Sequence, residues 1–143
     1  MEARRFNVRV YGICIHDGKL LVNEELIRGR YIIKFPGGGL DWGEGTVDCL
    51  SREWKEELGL DIMVLDHFYT TDFFQHSAFD DSQVISIYYL VSAQDVPTDI
   101  INLVEQERTY WVDLKEVHAG TFTLPIDKKV GEMLSLLYSN KEL

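Results

Sequence analysis

Long apolar runs are absent from this 143-residue chain, so no helical membrane span is expected. The N-terminus lacks one as well: Met1-Glu-Ala-Arg-Arg passes directly into Phe6-Asn-Val-Arg-Val, with no secretory leader visible. Cysteine is scarce. Cys14 and Cys49 are too few to staple a fold and have no zinc-ligand spacing. Positive charge is also short: 14 Lys and Arg against 24 Asp and Glu leave a net charge of −10. That deficit argues against nucleic-acid phosphates and anionic lipid as partners. Repeats, low-complexity tracts and linkers are missing too. Together these absences predict one cytoplasmic, reduced domain over residues 1–143, without nucleic-acid or membrane partners.

The 45% apolar content supports a proper core. Phe6, Val8 and Val10 alternate, and the run then turns apolar on both faces through Ile15. Asp17-Gly18 between two such runs predicts a hairpin, with the next strand over Lys19 to Glu24. Tyr31 to Phe35 reads as a strand stopped by Pro36-Gly37-Gly38-Gly39. A helix is expected from Val47 to Leu58, with Thr46 as its N-cap and Gly59 as its stop. Further strands are expected at Ile62–Thr70, Val84–Val91 and Thr109–Val112, with a loop from Thr71 to Gln83 between the first two. Asp113 to Glu116 reads as a capping box opening a short helix. After Pro125, the positions Ile126, Val130, Met133, Leu134 and Leu137 mark a final amphipathic helix. The class is mixed α/β.

The acids are unevenly placed. Between Asp41 and Asp61 seven acids face only Arg52 and Lys55, a local charge of −5. At about 100° per residue, Val47, Leu50, Trp54 and Leu58 form one apolar stripe of the helix, and Glu53, Glu56 and Glu57 share an arc of about 100° beside it. Lys55 and Arg52 point elsewhere on this wheel. Like charges at these spacings destabilise a helix by a few tenths of a kcal/mol per pair unless a cation neutralises them. Spacing alone therefore fits either a solvated face or an all-oxygen site for a hard divalent cation such as Mg²⁺.

The loop before the helix narrows the choice. Gly37-Gly38-Gly39-Leu40-Asp41-Trp42-Gly43-Glu44 is glycine-rich, so its backbone can turn tightly and approach a ligand. Gly38, five residues, Glu44, seven residues and then Arg52-Glu53-Trp54-Lys55-Glu56-Glu57-Leu58-Gly59-Leu60 match a Nudix box. All seven fixed positions (Gly38, Glu44, Arg52, Glu53, Glu56, Glu57, Gly59) are present. A chance match at one place has odds of roughly one in a hundred million. The chain thus resembles a Nudix hydrolase, with Trp54 standing where the family usually has a bulky aliphatic residue.

The resemblance implies an α/β/α sandwich with a mixed sheet and hydrolysis of a nucleoside diphosphate linked to a second group. It implies Mg²⁺ or Mn²⁺ held by Glu53, Glu56 and Glu57, with Glu44 as a further ligand or outer partner. Arg52 would orient the glutamates through an ion pair, and Glu53 would accept the proton of the attacking water. Glu105 and Glu107 are second candidates for that base, although both read more naturally as solvated loop residues. Gly37, Gly38, Gly39 and Trp42 are the candidate substrate contacts, with Trp42 either stacking on a base or simply anchoring its loop. Phe73, Phe74, His76 and Phe79 sit in a loop that either contacts the nucleoside, covers the domain or forms a homodimer contact. Cys49 reads as a packing residue and the four histidines as hydrogen-bonded surface groups. The proline and tyrosine that mark ADP-ribose and diadenosine polyphosphate hydrolases in this family are both absent, since their position falls on His76. Nucleotide sugars, ADP-ribose and (deoxy)nucleoside triphosphates stay open as the small-molecule partner. The alternative is a Nudix-like nucleotide sensor without catalysis.

Overall fold

Apolar residues on both faces let β1 (Arg5–His16) run through the middle of the molecule, with a helix packed on each side. The computed structural model describes residues 4–96 and 104–139, so Met1–Ala3 of the N-terminal reading lie outside the described residues. β1 turns at Asp17-Gly18, both residues left-handed, into β2 (Lys19–Ile27). A second two-residue turn at Arg28-Gly29, again left-handed, leads into β3 (Arg30–Lys34). Such turns match the twist of the strands they join. β1 pairs with β2 only at Ile15↔Leu20 and His16↔Lys19. The strands then diverge, and β2 continues between β3 and β7 (Glu107–Asp113).

The other half of β1 pairs with three-residue β4 (Gly37–Gly39), antiparallel, and with β6 (Ser82–Ala93), parallel. β5 (Ile62–Thr70) closes that edge, antiparallel to β6. The sheet is therefore mixed, as expected. β4 was not expected. The glycines that read as a strand stop instead pair Gly38 with Val10 and Gly37 with Tyr11. A Cβ on Gly37 would stand 2.1 Å from the Val10 carbonyl oxygen, so only glycine permits this approach.

Strand alternation decides which helix each β1 side chain meets. Val10 and Cys14 join Leu50, Trp54 and Leu58 of α1 (Thr46–Leu58), whereas Tyr11 and Ile13 join Ile126, Val130 and Leu134 of α2 (Pro125–Ser139). Each fully buried side chain of this size contributes about 1.5–3 kcal/mol. Two expected core positions differ. Val47 and Leu137 are exposed, and buried Cys49 joins the α1 stripe because β4 covers that side of the helix. The Asp113 box makes only a 3₁₀ turn, Leu114–Glu116, in which the Asp113 carboxylate accepts from the Lys115 N–H at 3.0 Å. Among the described residues no helix is long and apolar enough to cross a membrane.

Candidate active site

Both ends of α1 are set by glycine. Gly45, not Thr46, is the N-cap, and the Asp48 carboxylate accepts from its N–H at 3.3 Å. Thr46 instead pairs its hydroxyl with the Tyr89 hydroxyl at 2.7 Å. Gly59 takes the left-handed conformation and donates its N–H to the Lys55 carbonyl. Held this way, the helix lays Glu53 against β4. A Cβ on Gly38 would stand 2.4 Å from Glu53 Cδ and 2.5–2.6 Å from its oxygens.

Arg52 corrects the wheel. Its backbone position lies off the glutamate arc, but its long side chain reaches back across the helix. Nε and Nη2 grip both Glu44 oxygens at 3.0 and 2.7 Å, while Nη1 reaches Glu53 at 3.0 Å and Glu56 at 3.2 Å. Nη2 also meets the Gly39 carbonyl at 3.2 Å. These bonds, with the Asp41 N–H, hold the Glu44 carboxyl down at about 2. The arginine thus fixes one oxygen each of Glu53 and Glu56.

Glu57 faces inward. Burial, then the charges of Glu107 and Glu53, pushes its carboxyl up to about 8. Glu107 corrects the expectation of a solvated loop residue. It lies on β7, half-buried, raised by burial and by neighbouring Glu25 and Glu53, with Oε2 buried and unpaired. Glu105, exposed in the preceding turn, shows no such placement. Cys49 packs as expected: it is buried beneath the Gly39 carbonyl, and burial pushes its thiol up to about 12.

The remaining candidates divide. Gly37 and Gly38 are buried in β4, where closeness serves the sheet and Glu53. Trp42 is fully exposed, so the loop anchor weighed for it is not there, and it does not line the cavity described next. Of the aromatic loop, His76 and Phe79 line that cavity and Phe74 faces solvent. The histidines behave as hydrogen-bonded groups: His76 bonds Asp81, and His118 caps the 3₁₀ turn at Ala119–Thr121.

A cavity of about 280 Å³ has Arg9 and Lys34 on its wall, which feel the charges of Glu53 and Glu57, although the box glutamates do not line it. Its walls carry charged residues that sequence reasoning passed over, namely Arg9, Glu25, Lys34 and Asp127. Lys34 is buried and paired with Glu25 at 3.2 Å. Burial opposes its charge, but Tyr11, Glu25 and Glu57 outweigh burial and keep the amine above its ordinary value. Asp127, also buried, accepts from the Tyr88 hydroxyl at 2.6 Å, and burial pushes it up to about 6. A signal was present in the sequence: Arg9 stands between Val8 and Val10 and Lys34 between Ile33 and Phe35, and a charge flanked so closely by apolar residues seldom lacks a purpose.

The donor set can hold a hard divalent cation. It is all carboxylate oxygen, crowded enough to raise Glu57, and Glu107 Oε2 is an orphaned buried acceptor. Among the described residues no three such groups already stand gathered as a ligand cluster.

A family model, the NUDIX domain, matches residues 4–134. No curated protein matches the chain in sequence. Solved structures do. The MutT protein from Methanosarcina mazei Go1 shares 21% identity with a TM-score of 0.75, covering 99% of this chain and 100% of that one. The E. coli ORF135 protein shares 20% with a TM-score of 0.73, covering 96% and 94%. A NUDIX hydrolase from Nitrosomonas europaea shares 14% with a TM-score of 0.76, covering 96% and 74%.

Proposed function

The chain belongs to the NUDIX family, and from that premise we propose that it is a pyrophosphohydrolase that cleaves the pyrophosphate bond of a nucleoside diphosphate linked to a second group. The observation that carries this reading is a juxtaposition. Glu53, Glu57 and Glu107 act on one another's charge and on Arg9 and Lys34, and those two cations line a cavity able to take one end of such a substrate.

Glu53, Glu56 and Glu57 would hold the divalent metal, Mg²⁺ or Mn²⁺, with Glu44 as an outer partner and Glu107 as an added acceptor. When bound, the metal would neutralise charge, polarise a phosphoryl oxygen and lower the pKa of the attacking water. The chain's own groups do the rest. Arg52 fixes both oxygens of Glu44 and one oxygen each of Glu53 and Glu56, so these carboxylates keep one direction through turnover. Glu53, pressed on Gly38, accepts the water's proton. Glu107 is the better placed of the two other base candidates, because it shares the interior with Glu57 and Glu105 does not. The substrates it would take are nucleotide sugars, ADP-ribose or (deoxy)nucleoside triphosphates, small molecules of the cytoplasm.

The test is a hydrolysis screen of these compounds with Mg²⁺ in ¹⁸O-labelled water, with products weighed. A nucleoside monophosphate with a phosphorylated second group, or with pyrophosphate from triphosphates, is expected. Direct release of inorganic phosphate alone would contradict the reading.

A further inference from the structure

Arg9 belongs to β1, outside the glutamate box, at the point where β1 pairs with Gly39 of β4. Its side chain lines the cavity, and Nη1 stands 3.7 Å from where a Gly39 Cβ would be. The guanidinium therefore spans the joint between the cavity and the glycine strand that cradles Glu53. Nε donates to the Tyr11 hydroxyl at 2.6 Å. Nη1 and Nη2 make no hydrogen bond among the described residues.

Charge balance isolates the same group. The Tyr11 ring is flanked by two cations, with Arg9 Cζ 5.6 Å and Lys34 Nζ 5.8 Å from its centroid. Glu25 pairs with Lys34 at 3.2 Å. Glu53 already has its cation in Arg52 at 3.0 Å. Arg9 has no carboxylate within ion-pair distance among the described residues. A guanidinium held by Nε, with both terminal nitrogens unpaired in a concave site, presents the fork that fits two phosphoryl oxygens. Tyr11 would orient that fork and Lys34 would add to the local positive potential.

The geometry points to Arg9 as a substrate-binding residue that grips the phosphate nearest the group lodged in the cavity, leaving the next phosphate to the glutamates. This rests on the pyrophosphohydrolase reading, and it adds a metal-independent anion contact in a chain whose net charge is −10.

The experiment is calorimetric titration of ADP, GDP, CDP and UDP, and of the four parent nucleosides, into the protein with EDTA. At least one diphosphate is expected to bind the native protein without metal. Arg9→Gln should weaken that diphosphate by about tenfold or more, the scale of a hydrogen bond to a charged group. Affinity for the parent nucleoside should stay as it was, and Arg9→Lys should recover part of the loss. With Mg²⁺, Arg9→Gln should raise KM far more than it lowers kcat. Four results would overturn the assignment: no metal-free binding of any diphosphate, equal diphosphate affinity in Arg9→Gln, parallel loss of nucleoside binding, or an Arg9→Lys variant no better than Arg9→Gln. Should Arg9→Gln fail to fold, Arg9→Lys against the native protein carries the same comparison, with a selective loss of diphosphate affinity expected. If the native protein binds diphosphates through Arg9 yet hydrolyses none of their derivatives with Mg²⁺, the pyrophosphohydrolase reading falls and the Arg9 contact stands.

Discussion

Trp54 of α1 packs directly on Gly12 of β1: a Cβ on Gly12 would stand 2.8 Å from Trp54 Cζ2 and 3.0 Å from Cε2 and Nε1. Both residues also donate to one acceptor, the Pro36 carbonyl, from the indole N–H at 3.1 Å and from the Gly12 N–H at 2.9 Å. The helix that carries the glutamates is thereby keyed to the strand beneath it. The missing side chain at Gly12 makes room for an aromatic ring where the family usually has an aliphatic one.

Gly12→Ala should therefore destabilise the protein by about 1–3 kcal/mol through overpacking. Trp54→Leu should cost about 3 kcal/mol through lost volume. The double variant should cost less than the two together, because the smaller side chain accommodates the added methyl. Urea denaturation of all four proteins measures the coupling, and strict additivity would show that the two positions do not meet.

Gly38→Ala tests the cradle under Glu53. A Cβ 2.4 Å from Cδ must displace the carboxylate, and the carboxylate is the mobile partner. The expected outcome is a fall in kcat of about tenfold or more with the melting temperature little changed. Steady-state kinetics beside thermal melts would show it, and an unaltered kcat would remove Glu53 from the reacting centre.

Metal binding and the glutamates should be linked in stability. Mg²⁺ should raise the melting temperature of the native protein, since a ligand that binds only the folded state stabilises it. EDTA should abolish turnover. The Glu57 carboxyl is raised to about 8 from an unfolded value of 4.5, so its stabilising contribution is present below pH 4.5 and lost as pH rises through about 8. At pH 7.5, Glu57→Gln should accordingly match or exceed the native protein in metal-free stability. It should gain nothing from Mg²⁺ and lose about a hundredfold or more in kcat, as should Glu53→Gln. Melts with and without Mg²⁺ separate these effects.

Asp127 should give the fold a pH dependence of its own. Its carboxyl is raised by burial from 3.8 to about 6, so its neutral form is favoured by folding. That contribution is complete below pH 3.8 and is lost as pH rises through about 6. Asp127→Asn keeps an acceptor for the Tyr88 hydroxyl and has no charge to bury. The variant should be close to the native protein at pH 4 and more stable by about 3 kcal/mol at pH 8. Urea denaturation at the two pH values measures the difference, and a gap independent of pH would contradict the shift.

Much of this molecule could be read from short stretches of sequence. The hairpin at Asp17-Gly18, the span of β5, the helix ending at Gly59 and the placing of Glu53, Glu56 and Glu57 beside its apolar stripe all follow from local periodicity and turn chemistry. The box spacing carried the family with them, because each of these depends on residues within a few turns of one another. Other features needed the tertiary structure. A helical wheel gives the direction of a Cβ, not the reach of a long side chain, so Arg52 looked remote from carboxylates that it holds. A glycine run gives no sign of a strand until β1 supplies the partner. Glu107 and Glu105 are alike in sequence. Only the pairing of β7 with β2 turns the first toward Glu57 and leaves the second in solvent. The cavity was least legible of all: Arg9, Lys34 and Asp127 come from β1, β3 and α2, and their charges acquire meaning only where packing removes them from water and faces them toward one another.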